Sequence, residues 1–429
     1  MALIFTYEQS SLCDTHEVLT ATTSLEPIIQ EIKNAQSTAY NTPYAPLNLP
    51  FDTVMHRMVQ ECTEQKLALR PHALLIIGIG GSNLGALSVH QALHGLLYTM
   101  GNPSIACYWA DTVAPDDTYA LVQHMRQLLT AGKKIIITII SKSGSTLETS
   151  VNTAIFIHLL KEFHPHDYQQ YIVVITDKQS SLWQHAQQES YTTLEISANV
   201  GGRYSIMSAA GLFPLAMLGI NIHDLCAGAA DVVTHTMDQG PTSMAATSAA
   251  LLAVAYTHGI YIADLFVFDP WLESLGKWYR QLLAESIGKT STRDGATIAL
   301  GFTPTVSIGS TDLHAMAQRI LAGPRNTITT FVSIKHPEHD IPVNHNQSLT
   351  TVAHIMHALL VGAQRAYQQA ACPFTHCIME RKDAYTLGQF MQWKMIETIY
   401  LGFLLGVNPF DQPQVELYKQ EVRKIVHDA

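Results

Sequence analysis

The sequence predicts an α/β protein made of two doubly wound domains with parallel sheets. Short apolar, β-branched runs alternate with longer amphipathic segments, which is typical of strands that are joined by helices and covered on both faces. This alternation occurs twice along the 429 residues. Because a chain of this length exceeds one ordinary hydrophobic core, we expect an N-terminal domain over 1–205 and a C-terminal domain over 206–429.

The first set of apolar runs predicts five strands in the N-terminal half. They are expected at 74–79, 104–109, 134–141, 171–176 and 193–197. Amphipathic patterns between them predict helices at 116–129 and 146–163. Since strands that read as continuous apolar runs are buried on both sides, this half is expected to hold one parallel sheet.

The second set of runs predicts four more strands and a terminal helix. The strands are expected at 262–268, 297–302, 327–334 and 377–381, and the amphipathic helix at 415–427. The most apolar region, 248–268, is interrupted by Thr257, His258 and Asp264. We interpret it as a buried helix followed by a strand, because a membrane span needs about 20 predominantly apolar residues.

The composition limits which binding partners and which cellular compartment we expect for this protein. The formal net charge is −10, which argues against a broad surface for nucleic acid or acidic lipid. The six cysteines are scattered without the C-x₂-C spacing of a zinc site, as expected in a reducing cytoplasm. The start, "MALIFTYEQS", lacks the basic flank of a signal peptide, so we expect a cytoplasmic protein.

A glycine-rich turn, "GIGGSNLG" at 78–85, follows the first predicted strand. A dinucleotide fingerprint would need a third glycine where Asn83 stands, and a Walker motif would need Lys where Ala86 stands. What remains is a strand, a turn and a helix, whose backbone N–H groups at Gly80, Gly81 and Ser82 can approach an anion or hydroxyls. A tight turn that binds nothing is the alternative.

A second loop, "SKSGSTLETS" at 141–150, follows the strand expected at 134–141. Hydroxyl groups, one ammonium group and free N–H groups at a helix N-terminus suit a phosphomonoester. The candidate residues for this phosphate site are Ser141, Lys142, Ser143, Ser145 and Thr146. Ordinary capping of the helix by Ser145 or Thr146 is the alternative.

Six blocks in order resemble the glucose-6-phosphate isomerase family, in its compact bacterial form with two sugar-isomerase (SIS) domains. The blocks are "GIGGSNLG" (78–85), "SKSGSTLET" (141–149), "VGGRYSIMSAAGL" (200–212), "QLLAESIGK" (281–289), "GSTDLH" (309–314) and "NPFDQPQVELYK" (408–419). The resemblance implies reversible isomerisation of glucose 6-phosphate and fructose 6-phosphate by ring opening and proton transfer through a cis-enediolate.

By this resemblance, Glu285 is the base that carries the proton between C2 and C1. A glutamate on a helix is otherwise often solvated or paired with a lysine four residues on, here Lys289. Arg203 follows two glycines, and its fixed charge suits a developing enediolate. It could equally tie two domains together by a salt bridge, and both roles could hold at once.

The resemblance assigns four further residues. His314 helps to open the sugar ring and comes from the neighbouring subunit, which implies a homodimer. Lys419 is the second group at the ring and at the C1 oxygen, while Gln281 and Gln412 match positions that contact the substrate. Outside these blocks, the His354/His357 spacing has no carboxylate or cysteine partner in sequence, so no metal site is expected.

The resulting hypothesis is an aldose–ketose isomerase that acts on a hexose 6-phosphate without cofactor or metal. Three alternatives stay open. The chain could be a non-catalytic sugar-phosphate-binding SIS protein, or a dual isomerase that also accepts mannose 6-phosphate. A nicotinamide oxidoreductase is the third, and it is disfavoured by Asn83.

Overall fold

The predicted α/β class is confirmed by a computed structural model that describes residues 2–8, 15–345 and 348–428. The strands are β1 Leu3–Thr6, β2 Ala73–Ile77, β3 Ala106–Ala110, β4 Ile135–Ile140, β5 Ile172–Thr176, β6 Thr192–Glu195, β7 Ile262–Val267, β8 Lys289–Ser291, β9 Thr297–Leu300, β10 Thr303–Ile308, β11 Thr327–Ile334, β12 Pro342–His345, β13 Ser348–Thr351 and β14 Phe374–Met379.

The helices connect and cover these strands. They are α1 Thr15–Thr23, α2 Glu26–Ala35, α3 Ala45–Asn48, α4 Thr53–Leu67, α5 Leu84–His94, α6 Pro115–Thr130, α7 Leu147–Phe163, α8 Ser181–Gln188, α9 Ala209–Met217, α10 Ile222–Gln239, α11 Met244–Thr257, α12 Glu273–Ile287, α13 Ala317–Ala322, α14 Val352–Gln369, α15 Ala384–Leu404 and α16 Val415–Asp428.

The first sheet contains five parallel strands in the order β3-β2-β4-β5-β6. Every residue of the central strands β2 and β4 is buried, which explains why their sequences are apolar throughout rather than alternating. Helices α6 and α7 pack together against β4, while α4 packs on α9, which contacts β2 and β5. The five predicted strands are therefore confirmed, with small changes in their ends.

The second sheet has the order β1-β14-β11-β7-β10, with four parallel strands and β1 antiparallel at one edge. The strand β1, from the N-terminal part of the chain, therefore belongs to this second sheet, where it pairs with β14, Leu3 opposite Met379. Pairing covers an edge of β14 that would otherwise present free backbone groups. The expected division into an N-terminal and a C-terminal domain near residue 205 stays a prediction.

One predicted strand of the second half lies outside the main sheet. The run expected at 297–302 forms β9, which pairs with β8 in a two-stranded hairpin. The strand that joins the main sheet is the next one, β10, which lies parallel to β7 at the edge. Two adjacent apolar runs separated by a short break cannot be told apart by periodicity alone.

The helical layer holds the apolar segments that the sequence placed in the interior. Helix α15 is buried along nearly its whole length and packs against α10, α11 and α12. The apolar region 248–268 forms the end of α11 and the strand β7, as predicted. Among the described helices, none combines the length and the apolar character that crossing a membrane requires.

Candidate active site

Two loops that the sequence singled out lie side by side at the carboxyl end of the first sheet. The glycine turn follows β2 and the serine-rich loop follows β4, and these strands are hydrogen-bonded neighbours with Ile77 opposite Ile139. Ligands of doubly wound folds bind outside the carboxyl ends of the strands. The position of both loops therefore agrees with a shared ligand site.

The glycine turn makes close contacts that a side chain would prevent. Gly80 has φ +58°, and a Cβ atom built on it would lie 3.1 Å from Nε2 of Gln281. A Cβ atom on Gly81 would lie 2.2 Å from the carbonyl carbon of Gly202, which is too close for any side chain. Ser205 also donates from its Oγ to the carbonyl of Gly81 at 3.1 Å. The turn thus holds residues 202–205 and helix α12 against the first sheet.

The serine-rich loop leaves backbone N–H groups open at the start of α7. Thr146 occupies the N-cap position, but its side chain makes no capping hydrogen bond. Ser141 Oγ accepts instead from the backbone N–H of Gly144 at 3.2 Å, and Ser145 donates to Ser143 Oγ at 3.1 Å. Because the first N–H groups of a helix have no partner within it, this end is suited to an anion.

Lys142 connects the serine-rich loop electrostatically with Arg203. Burial lowers the pKa of Lys142, and the nearby guanidinium of Arg203 lowers this pKa further, while the carboxylate of Asp177 opposes both effects. Two positive groups held this close favour a bound anion, because the anion relieves their repulsion. The loop and Arg203 therefore belong to one electropositive region.

Arg203 is the most highly connected side chain of the site, and only 1% of it is exposed. Its Nε donates to Ser286 Oγ at 2.7 Å, and one terminal nitrogen donates to the carbonyl groups of Pro409 and Asp411 at 2.7 and 3.1 Å. The other terminal nitrogen donates to Glu285 and Gln412. The guanidinium thus joins α12 to the loop 408–412 by hydrogen bonds, which gives Arg203 a structural role.

Glu285 projects from α12 one turn after Gln281, with 26% of its side chain exposed. Its Oε2 accepts from Arg203 at 3.3 Å and its Oε1 accepts from Gln281 Nε2 at 2.9 Å. The alternative of an ion pair with Lys289 is wrong. Lys289 Nζ binds the backbone carbonyl of Glu285 at 3.0 Å and the carboxylate of Asp411 at 2.9 Å.

Three residues that support this arrangement were not singled out from sequence for the roles they have here. The hydroxyl of Ser286 accepts a hydrogen bond from Arg203 and lies 3.0 Å from the Tyr204 hydroxyl. Lys289, which is buried, forms an ion pair with Asp411, which is exposed. All three lie inside the quoted blocks "QLLAESIGK" and "NPFDQPQVELYK". Each of them contacts a residue that lies more than 80 positions away in the chain, and a single sequence carries no signal for such contacts.

Two predicted site residues lie apart from this group within the single chain. His314 is exposed in a turn, Thr311–His314, after β10, and its imidazole forms no hydrogen bond or ion pair with another residue in the described ranges. Lys419 on α16 forms an ion pair with Glu416 at 2.7 Å. The structure therefore brings together Arg203, Gln281, Glu285 and Gln412 with the two loops, but not His314 or Lys419.

The described residues also contain no cluster of three His, Cys, Asp or Glu side chains that could hold a metal ion. His354 and His357 are both exposed on α14. The groups available at the site are a carboxylate, a guanidinium, an ammonium, two amides and several hydroxyls.

Comparison with known proteins decides the family. A sequence model of the phosphoglucose isomerase family matches residues 68–429. The chain belongs to this family. The glucose-6-phosphate isomerase of Symbiobacterium thermophilum is 32% identical over 400 residues, which cover 88% of this chain and 85% of that protein. That of Parabacteroides distasonis is 33% identical over 378 residues, covering 84% and 82%.

A solved structure confirms the fold. A glucose-6-phosphate isomerase from Chlamydia trachomatis superposes with a TM-score of 0.84 at 18% identity, covering 99% of this chain and 88% of that chain. The family match also includes both loops, Arg203, α12 and the loop 408–412. The two sheets, the second with its antiparallel edge strand β1, thus agree with the doubly wound α/β architecture that the sequence blocks implied.

Proposed function

We propose that this chain interconverts glucose 6-phosphate and fructose 6-phosphate through a cis-enediolate. Membership of the phosphoglucose isomerase family supports the reaction. The observation that carries the mechanism is the position of Glu285, a half-buried carboxylate beside a fully buried guanidinium at the carboxyl end of the first sheet.

Glu285 is the proton carrier. Starting from the open-chain aldose, its carboxylate takes the proton from C2, and the electrons of that C–H bond form the enediolate. The same carboxyl group returns the proton to C1 while the hydroxyl proton moves from the C2 oxygen to the C1 oxygen, which gives the ketose. One carboxylate on one face of the substrate suffices for both transfers, and the hydrogen bond from Gln281 holds it in a single orientation.

Arg203 stabilises the charge of the enediolate. Its guanidinium cannot lose its proton and is already fixed by five protein acceptors, so it needs no reorganisation when charge develops on the substrate oxygens. Lys419 is assigned to the sugar ring and the C1 oxygen, and Gln412 to the phosphate side of the substrate. In this proposal Lys419 exchanges its contact with Glu416 for the substrate.

The serine-rich loop holds the 6-phosphate group. Hydroxyls of Ser141, Ser143, Ser145 and Thr146 and the open N–H groups of α7 supply hydrogen bonds, and Lys142 supplies charge. The turn Gly80–Ser82 faces the sugar hydroxyls. Phosphate binding at one end fixes the distance from the reacting carbons to Glu285 at the other.

A homodimer completes the site in this proposal. His314 is exposed and its side chain makes no hydrogen bond within the described part of its own chain, which leaves its imidazole available to a second subunit. There it would pass a proton to the ring oxygen during opening. Hexose phosphates are charged metabolites that stay inside the cell, so the cytoplasm is the compartment we propose.

The purified full chain tests the function directly. We expect fructose 6-phosphate to convert into glucose 6-phosphate without added cofactor or metal. The product is quantified after the reaction is stopped, by oxidation with a separate nicotinamide-dependent dehydrogenase. Binding of the sugar phosphate without turnover would instead identify a non-catalytic SIS protein. Formation of mannose 6-phosphate in the same reaction would identify the dual isomerase.

A further inference from the structure

The carboxylate of Asp411 holds an ammonium group that stands next to the proposed base. Lys289 lies just after the end of α12, four positions after Glu285. Its side chain is only 5% exposed, and its Nζ lies 2.9 Å from Oδ1 of Asp411. A lysine four residues after a glutamate is ordinarily a favourable partner for that glutamate. Here a carboxylate from the far end of the chain has taken the ammonium instead.

All three hydrogens of the Lys289 ammonium have acceptors within the protein. Its Nζ donates to the backbone carbonyl of Glu285 at 3.0 Å and to that of Asp411 at 2.6 Å, in addition to the Asp411 carboxylate. The carbonyl of Glu285 belongs to the last turn of α12, where carbonyl groups lack partners within the helix. Lys289 therefore closes the end of α12, and this role needs no contact with a substrate.

The carboxylate of Glu285 is close enough to attract this ammonium. Burial lowers the pKa of Lys289, while the hydrogen bond and charge of Asp411 oppose that effect, and so does the charge of Glu285. Glu285 already accepts from Nη1 of Arg203 at 3.3 Å, which is longer than the roughly 2.7–2.9 Å of a tight charge-assisted hydrogen bond. A second cation in direct contact would make this carboxylate a poorer acceptor of a proton.

We propose that Asp411 is a positioning residue, which keeps the ammonium of Lys289 away from the carboxylate of Glu285 so that the base stays free to take a proton. This inference rests on the proposed function, in which Glu285 moves a proton between C2 and C1. Asp411 acts through Lys289 and needs no contact with the substrate. Its backbone carbonyl also accepts from Arg203 at 3.1 Å, so two cations meet at Asp411, and its carboxylate neutralises one of them.

A double-mutant cycle on the full-length protein tests the proposal. Asp411→Asn removes the charge and keeps the size of the side chain, so Lys289 should turn to Glu285. We expect kcat for fructose 6-phosphate to fall about 10-fold and KM to change by less than about 2-fold. Lys289→Met alone should keep kcat within about 3-fold of wild type, because the reaction does not use the ammonium. The double variant D411N/K289M should recover the kcat of K289M.

The recovery separates this role from a purely structural one. If Asp411 only held the loop 408–412 in place, removing a second contact of that loop could not restore activity. A surface ion pair of the same helix, Glu273 with Lys277 at 2.8 Å, provides the control cycle. Glu273→Gln, Lys277→Met and their combination should each keep kcat within about 2-fold of wild type. If K289M does not fold, Lys289→Gln takes its place, since it keeps an N–H donor for the helix end.

A crystal structure of D411N gives a readout that does not depend on activity. We expect Nζ of Lys289 within about 4 Å of a carboxylate oxygen of Glu285. Four results would overturn the proposal: an unchanged kcat in D411N, a loss that persists in the double variant, a loss in K289M as large as that in D411N, or a Lys289 that stays away from Glu285 in the D411N structure. A wild-type protein without isomerase activity would instead reject the proposed function, and the D411N structure would still show whether Asp411 holds Lys289.

Discussion

The guanidinium of Arg203 lies 3.3 Å from the carboxylate of Glu285 while its other nitrogens hold Ser286 and the loop 408–412. One buried cation therefore contacts helix α12, a loop from the far end of the chain and the proposed base at once. The structural tie considered for Arg203 uses all three nitrogens of the guanidinium, and the proposed role as charge stabiliser uses the positive charge of the same group.

Arg203→Lys separates the geometry of this group from its charge. Lysine keeps one positive charge but cannot reach the five acceptors, so several buried acceptors lose their donor. We expect a loss of about 3 kcal/mol in the free energy of unfolding and a roughly 10²-fold fall in kcat. Urea unfolding and steady-state kinetics measure the two effects. An unchanged kcat would remove Arg203 from the catalytic step.

Gly81→Ala tests the contact between the glycine turn and the segment 202–205. Its Cβ atom would lie 2.2 Å from the carbonyl carbon of Gly202, so the backbone must move. We expect a loss of about 3 kcal/mol in unfolding free energy and a higher KM for the sugar phosphate. Gly132→Ala is the control, because its φ is +71° but no atom lies within 4 Å of the added Cβ. That variant should lose only about 1 kcal/mol and keep its KM.

Mixing two inactive variants tests whether His314 acts across a dimer. Glu285→Gln and His314→Gln chains are refolded together in equal amounts. If His314 serves the partner's site, half of the dimers are mixed and each has one intact site, so activity returns to about one quarter of the wild-type value. If His314 serves its own chain, no mixed dimer has an intact site and no activity returns.

The buried side chain of His90 should make the free energy of unfolding fall at acid pH. Its side chain packs against His94 and Tyr98, and burial, assisted by His94, lowers its pKa to about 4. Since the unfolded pKa is about 6.5, the folded state is favoured above that pH, and this contribution is lost as the pH falls from 6.5 towards 4. Between pH 7 and 4.5 the loss is roughly 2–3 kcal/mol.

The measurement is urea unfolding at pH 7 and at pH 4.5 for wild type and His90→Gln. The variant should lose less stability on acidification than the wild type, by the amount that His90 contributes. The exposed His166→Gln is the control and should show the wild-type pH dependence. Identical pH dependence of all three proteins would show that His90 does not cause the loss of stability between pH 7 and pH 4.5.

Local pattern was enough for much of the fold. The strands β2 and β4 could be predicted because strands buried on both faces must be apolar throughout, and the loops after them because glycines and hydroxyls stand at their carboxyl ends. The strand β1 was missed because four residues give little periodicity, and its partner β14 lies far away in the chain, with Leu3 opposite Met379.

The sequence predicted the residues of the candidate site block by block, but not the contacts between the blocks. The helical spacing of Gln281 and Glu285 places both side chains on one face of α12, but nothing local indicates that Arg203, rather than Lys289, pairs with Glu285. That choice depends on how α12 and the loop 408–412 meet in three dimensions. His314 and Lys419 stay predictions for the same reason, since their proposed contacts require a second subunit or a bound substrate.

The most direct test of the central claim, that Glu285 carries the proton, is NMR of fructose 6-phosphate incubated with the protein in D₂O. Wild type and Glu273→Gln, a surface variant of the same helix, should form glucose 6-phosphate with deuterium at C2. Glu285→Gln should do so roughly 10²- to 10⁴-fold more slowly. Deuterated product at the wild-type rate from the Glu285→Gln protein would show that another group is the base.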